Sequence, residues 1–186
     1  LFTADDAEQV DLALRAVEMN GPGRCGWTVP ILSTDEPPAC GDERLIYFDD
    51  FESGAPGWTV SNSAPLTPYD WRLTDAPLPY GRSGITWVCD NSDLGDCAGK
   101  DESGSHSLIS PPIGLPMEIR FPLLRFTHHI NVETGWDGGL LSIRTNAGRW
   151  IRLPGSSFHF NPYNTKLRNQ LSGNTNPLAG REAWSG

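Results

Sequence analysis

The chain has 186 residues and a formal net charge of -9, with Lys+Arg 14 against Asp+Glu 23, so nucleic acid and anionic membrane surfaces are repelled on average. Hydrophobic residues make up 38% and charged residues 20%, enough to bury one substantial core. Gly 20 and Pro 16 punctuate a sequence that still carries seven Trp and seven Phe, which excludes a disordered chain and a helical bundle and points to short strands between many turns.

The chain opens at Leu1 with neither an initiator Met nor a signal-peptide pattern, as expected of a mature product or an excised fragment. Over residues 3 to 19 the pattern predicts an amphipathic helix. Thr3 is its cap, Asp6 holds the capping-box position, and Ala7, Val10, Leu14 and Val17 recur at helical spacing until Asn20-Gly21-Pro22-Gly23 stops it. From Cys25 to Asp42 the text is rich in Pro and Gly and reads as a linker tied by a disulfide. The expected organisation is therefore a helix-and-linker segment over 1-42 and a main domain over 43-186.

Four cysteines stand at 25, 40, 89 and 97, with no two-residue gap of a zinc or redox motif. Three pairings are open on paper. Sequential pairing, Cys25 with Cys40 and Cys89 with Cys97, closes two short loops and is the expected one, and it implies an oxidising, extracytoplasmic compartment. The competing reading is four unpaired buried thiols.

In the main domain, β-rich runs alternate with turn clusters. Strands are predicted at Arg44 to Glu52, Gly57 to Ser61, Asp70 to Thr74, Ile85 to Cys89, Ser107 to Ser110, Leu123 to Glu133, Gly139 to Thr145 and Trp150 to Leu153. Eight strands at that spacing predict an all-β, two-sheet antiparallel jelly roll or sandwich. Leu123 to Glu133 has the clearest alternation, with Leu124, Phe126, Ile130 and Val132 on one face and Arg125, Thr127, His129, Asn131 and Glu133 on the other. Its polar face, with Arg144, offers donors to a carbohydrate or peptide ligand, although an ordinary hydrated face is the simpler reading. Beyond Phe158 the Asn-, Gly- and Ser-rich text predicts a long irregular excursion.

No His-Glu-x-x-His, Gly-x-Ser-x-Gly or Walker pattern occurs, and no Gly-x-Gly-x-x-Gly follows a predicted strand, so catalysis by this chain is not expected. His128 and His129 are adjacent and point to opposite faces of a strand, which leaves His128 as a core histidine. His106 falls in a Ser-rich turn and His159 between two Phe residues. Carboxylates are more informative. Asp50 and Glu52 close the first run, and Asp137 lies in the turn Trp136-Asp137-Gly138-Gly139, each beside backbone whose carbonyls could help ligate a hard cation. Calcium is the candidate, against a reading of solvated strand-end charges and a turn cap. The Asp90 to Asp96 cluster lacks EF-hand spacing and reads as a solvated loop.

Phe48-Asp49-Asp50-Phe51-Glu52-Ser53-Gly54 with Trp58, then Trp71-Arg72-Leu73, Ser107 to Ile113, Leu124 to His129, and Glu133-Thr134-Gly135-Trp136-Asp137-Gly138-Gly139 occur in the order found in MAM-like jelly-roll modules. The chain resembles the accessory domain that follows the catalytic domain in secreted bacterial metallopeptidases of the fungalysin and immune-inhibitor-A kinds. The resemblance spans about 45-186, and Glu-x-Gly-Trp-Asp-Gly-Gly is its most specific part. It implies a non-catalytic jelly roll with a structural calcium held by Asp50, Glu52 and Asp137, and Phe51, Trp58, Trp71 and Trp136 as core or site-wall aromatics. The opening helix would close a preceding catalytic domain or serve as a linker. Such modules continue past a Trp-Ser-Gly run with further strands, so the resemblance also implies an incomplete domain whose remainder, a second piece of the same precursor, is its partner. Two other functions stand beside this one: a fragment of a secreted zinc metallopeptidase whose catalytic part lies upstream, and a subunit of an extracellular assembly contacting through Asn161 to Asn176.

Overall fold

A computed structural model describes the backbone of 9-17 and residues 45-63, 71-76, 83-89, 104-117, 122-146 and 148-186. In chain order the strands are β1 (Gln9–Val17), β2 (Thr59–Asn62), β3 (Arg72–Thr74), β4 (Thr86–Val88), β5 (His106–Ile109), β6 (Ile113–Gly114), β7 (Gly138–Thr145), β8 (Ile151–Arg152), β9 (Thr165–Lys166) and β10 (Glu182–Ala183). Every pairing is antiparallel. A six-stranded sheet runs β2-β5-β1-β7-β8 with β6 also on β1, while β3-β4 and β9-β10 form two-stranded sheets. The class is all-β, and among the described residues helical structure is limited to single 3-10 turns at Gly155–Ser157 and Gln170–Ser172.

The expected opening helix is overturned where it can be seen, because Gln9–Val17 is a strand in the middle of the main sheet. Val10-Asp11-Leu12-Ala13-Leu14-Arg15 satisfies a period of two about as well as one of 3.6. A central position offers ladder bonds on both edges, and that outweighs a weak local propensity. Val10 to Val17 pairs along β7 from Thr145 to Gly138, and Ala13 to Ala16 pairs along β5. Part of the 1-42 segment thus shares a sheet with the domain that follows it.

Two further expectations are corrected. Residues 45-50 carry no ladder and run into a turn in which Gly54 N donates to Phe51 O at 2.9 Å. Residues 122-133, the clearest alternation in the sequence, also belong to no strand. Their natural hairpin partner across the Glu133 turn is β7, and β7 already has β1 on one edge and β8 on the other. The segment keeps part of its apolar side: Val132 is buried and Phe126 and Ile130 pack on the core, but Leu123 and Leu124 are exposed.

The larger core gathers Phe51, Trp71, Trp87, Cys89, Leu108, Val132, Leu141 and Trp184, and a smaller one joins Leu140, Leu167, Leu178 and Ala183. Aromatic edges make much of the first. Trp58 meets Phe51 edge-on at 5.3 Å between centroids, and Trp184 meets Phe126, Phe158 and Tyr163 at 5.9, 5.1 and 4.7 Å. The two cores meet at β7, whose residues Gly138 to Ile143 are all buried. Gly138 is there because nothing larger fits: a Cβ would come 2.7 Å from Ala183 Cβ and 2.9 Å from Trp184 O.

Candidate functional site

The Asp49-Asp50-Phe51-Glu52 rim is built around a backbone reversal. Phe51 is fully buried and holds φ 64, a left-handed conformation that costs a bulky side chain of order 1–3 kcal/mol. Asp49 holds it in place. Its Oδ1 accepts from Phe51 N at 2.9 Å, and its Oδ2 accepts from Trp58 Nε1 at 2.8 Å and Tyr47 OH at 3.1 Å. Burial, and then the Asp49 charge, push the Tyr47 phenol up to about 12, which keeps it a donor to that carboxylate.

Around this anchor Asp50 and Glu52 lie exposed. Asp50 Oδ1 accepts from Glu52 N at 3.1 Å, and Glu52 Oε1 reaches across to accept from Ile85 N at 2.8 Å, tying the reversal to the start of β4. Gly84, at φ +114, leaves the space: a Cβ there would stand 2.6 Å from Glu52 Oε1. Each carboxylate therefore has one oxygen on backbone and one turned to neither of these bonds. The two side chains are hard oxygen donors of the type a calcium ion takes, two residues apart in a turn.

Asp137 has a different setting. It is buried in the turn after Glu133, with its N and that of Trp136 donating to Glu133 O at 3.0 and 3.1 Å and Gly135 at φ 77 making the bend. Among the described residues no three His, Cys, Asp or Glu side chains gather as a metal-holding group. The run Glu133 to Gly139 is instead a packing hub. Trp136 O accepts from Asn174 Nδ2 at 3.2 Å and Asn176 Nδ2 at 3.1 Å, and the Arg168 guanidinium stands 4.8 Å from the Trp136 ring centre. Gly135 N donates to Ser185 Oγ at 2.8 Å.

The expected ligand-binding residues do not make a uniform wet face. Arg125 and Asn131 are exposed, while Thr127 and His129 are partly buried. His106, expected in a turn, opens β5 and is buried. Cys89 is buried in the larger core, and Cys25, Cys40 and Cys97 lie outside the described residues, as do both expected disulfide bonds. Burial of Tyr163, whose hydroxyl accepts from Leu141 N at 3.0 Å, pushes its phenol up to about 12.

Two sets of residues were not singled out from sequence. Asp49 looked like one more strand-end charge, although Asp two residues before a reversal is an Asx-turn signal. Asn174 and Asn176 lie in what reads as an irregular excursion, yet both are buried, and their Oδ1 atoms accept from Asn176 N at 2.9 Å and Leu178 N at 2.7 Å. The spacing Asn-x-Asn-Pro was the signal for those consecutive turns.

Set against known proteins, the chain matches no family model, no curated protein and no solved structure.

Proposed function

We propose that the chain is a non-catalytic, calcium-stabilised jelly-roll module of a secreted protein, an accessory domain of the kind attached to metallopeptidases. The single observation that carries the reading is the rim: a buried Phe51 held in a strained reversal by Asp49, with Asp50 and Glu52 exposed on either side of it and Glu52 bound to the start of β4. Bound there, calcium would neutralise two carboxylates two residues apart. Asp50 and Glu52 are the proposed ligands, and Asp137, from the resemblance, is the third to be tested. The proposed role is structural, joining the 45-54 segment to β4, and the partner is the remainder of the same precursor.

Thermal unfolding with added calcium and with chelator tests this. At free calcium of about 100 times Kd the folded state gains about 2.7 kcal/mol, which corresponds to a rise in melting temperature of roughly 5–10 °C for a chain of this size. Asp50→Asn with Glu52→Gln should abolish the rise, and Asp137→Asn reports on the third ligand. A melting temperature unmoved by chelator and by calcium would refute the site. A subunit of an extracellular assembly is the second reading, favoured by Phe160 and Leu171, which are 89% and 98% exposed on the C-terminal segment. A defined oligomer by light scattering would support it.

A further inference from the structure

Trp184 is the meeting point of three segments. Its backbone pairs with Gly139 in both directions, Trp184 N to Gly139 O at 2.9 Å and Gly139 N to Trp184 O at 2.8 Å, which fastens the 182-185 segment to β7. Its buried indole Nε1 donates to Asn161 O at 3.0 Å. Across its face lies the His128 ring, 4.4 Å between centroids, itself 5.4 Å from Phe126. Asn161 closes the triangle from the other side. It holds φ 48, a left-handed turn that Asn tolerates, and its Nδ2 lies 3.4 Å from His128 Nε2. One residue thus grips the indole with its backbone and the imidazole with its side chain.

We propose that the His128, Asn161 and Trp184 contact is an acid-sensitive latch, holding the 182-185 segment and the 158-164 segment together while the imidazole is neutral and loosening them when it is charged.

The chemistry follows from donor count. A neutral imidazole has one bare nitrogen that can accept the Asn161 amide proton, whereas a charged one is a donor at both nitrogens, so that bond is broken and the Asn161 amide must turn over to face the ring with its oxygen. Two other effects bear on the charge. The face of Trp184 attracts a cation, while removal from water opposes it. Burial wins: it is the larger cause holding His128 down at about 4, and His129 beside it adds repulsion. The ionisable groups on the elements around the triangle are Arg125, His129 and Glu133 on its own segment, His159 and Tyr163 on 158-164, and Arg181 and Glu182 ahead of Trp184. Among them His129 is the one whose charge acts on His128. Because the folded value lies below the ordinary 6.5, the latch is fully closed above about pH 6.5, weakens below it, and is lost as pH falls through about 4.

The test follows the His128 imidazole and the Trp184 indole N–H by NMR in the full chain from about pH 7 to about pH 3. Both signals should move with one midpoint near 4, and the indole proton should lose protection from exchange by about tenfold or more below it. His128→Phe keeps a ring against Trp184 and should remove the acid step at the indole. Asn161→Asp keeps the left-handed turn and puts a carboxylate on the imidazole, which should raise the midpoint by about one pH unit or more. An indole that stays protected below the imidazole midpoint, an acid step that survives His128→Phe, or a midpoint unmoved by Asn161→Asp would each overturn the latch. Asn161→Asp decides by itself if His128→Phe does not fold.

Discussion

Replacing Gly138 with Ala puts a methyl group where the two cores and the C-terminal strand converge. The added carbon would stand 2.7 Å from Ala183 Cβ, 2.9 Å from Trp184 O and 3.1 Å from Leu167 Cδ2. Carbon atoms settle at about 3.5–4.0 Å, so something must move by most of an ångström. Little can. Ala183 is fully buried and paired with Thr165, and Trp184 O is already held by Gly139 N. Overpacking of this kind costs about 1–3 kcal/mol. Against it stands the entropy that Ala removes from the unfolded chain, about 0.4–1 kcal/mol. The expected net loss is about 1–2 kcal/mol, which at a urea slope of about 2 kcal/mol/M lowers the unfolding midpoint by roughly 0.5–1 M with the slope unchanged. Combining Gly138→Ala with Ala183→Gly removes the shortest contact while leaving Trp184 O in place, so the pair should recover part of the loss against the sum of the single variants. A Gly138→Ala chain as stable as the parent, or a double variant showing no recovery, would refute the close packing of β10 on β7.

Asp49→Ala leaves Trp58 Nε1, Phe51 N and Tyr47 OH without their acceptor and should cost about 2–4 kcal/mol, read as a lower midpoint in chemical unfolding; Asp49→Asn, which keeps an acceptor oxygen, should cost less. Tyr47 and Tyr163 are both pushed up to about 12 from 10.0, so the stability tied to their neutral phenols is complete below about pH 10 and is lost as pH rises through about 12. Ultraviolet titration of the folded chain should show these two ionising after the ordinary phenols, and Tyr163→Phe should remove one late step.

The class of fold was legible because Gly and Pro spacing and short apolar runs are local signals. β3, β4, β5 and β7 lie within a residue or two of where alternation predicts them. Partner choice is not local, and both large errors come from it. Residues 9-17 suit a helix by themselves and become a strand because β5 and β7 offer them two edges, while residues 122-133 alternate well and find both edges of β7 taken. At the rim, sequence picked out Asp50 and Glu52 as exposed carboxylates but not Asp49, whose importance rests on an indole nine residues away and on the handedness of Phe51. Asn174 and Asn176 were hidden for a related reason: polar residues read as solvated unless the carbonyl they satisfy is known, and Trp136 O lies far back in the chain.

The registers carry a kinetic consequence. In the main sheet Thr59 stands opposite Ile109 and Val10 opposite Thr145, whereas Ser142 meets Arg152 in a local hairpin. A chain must close long loops before such distant ladders give anything back, so refolding belongs to the millisecond-to-second range of β proteins dominated by remote pairings. The β7-β8 hairpin can form and dissolve in about 1–10 μs, many times over, before β1 arrives. Until then β7 presents an apolar edge running from Gly138 to Thr145 to any other chain in solution. Refolding yield should therefore fall with protein concentration more steeply than native stability would suggest, since the slow arrival of β1 sets how long that edge stays open.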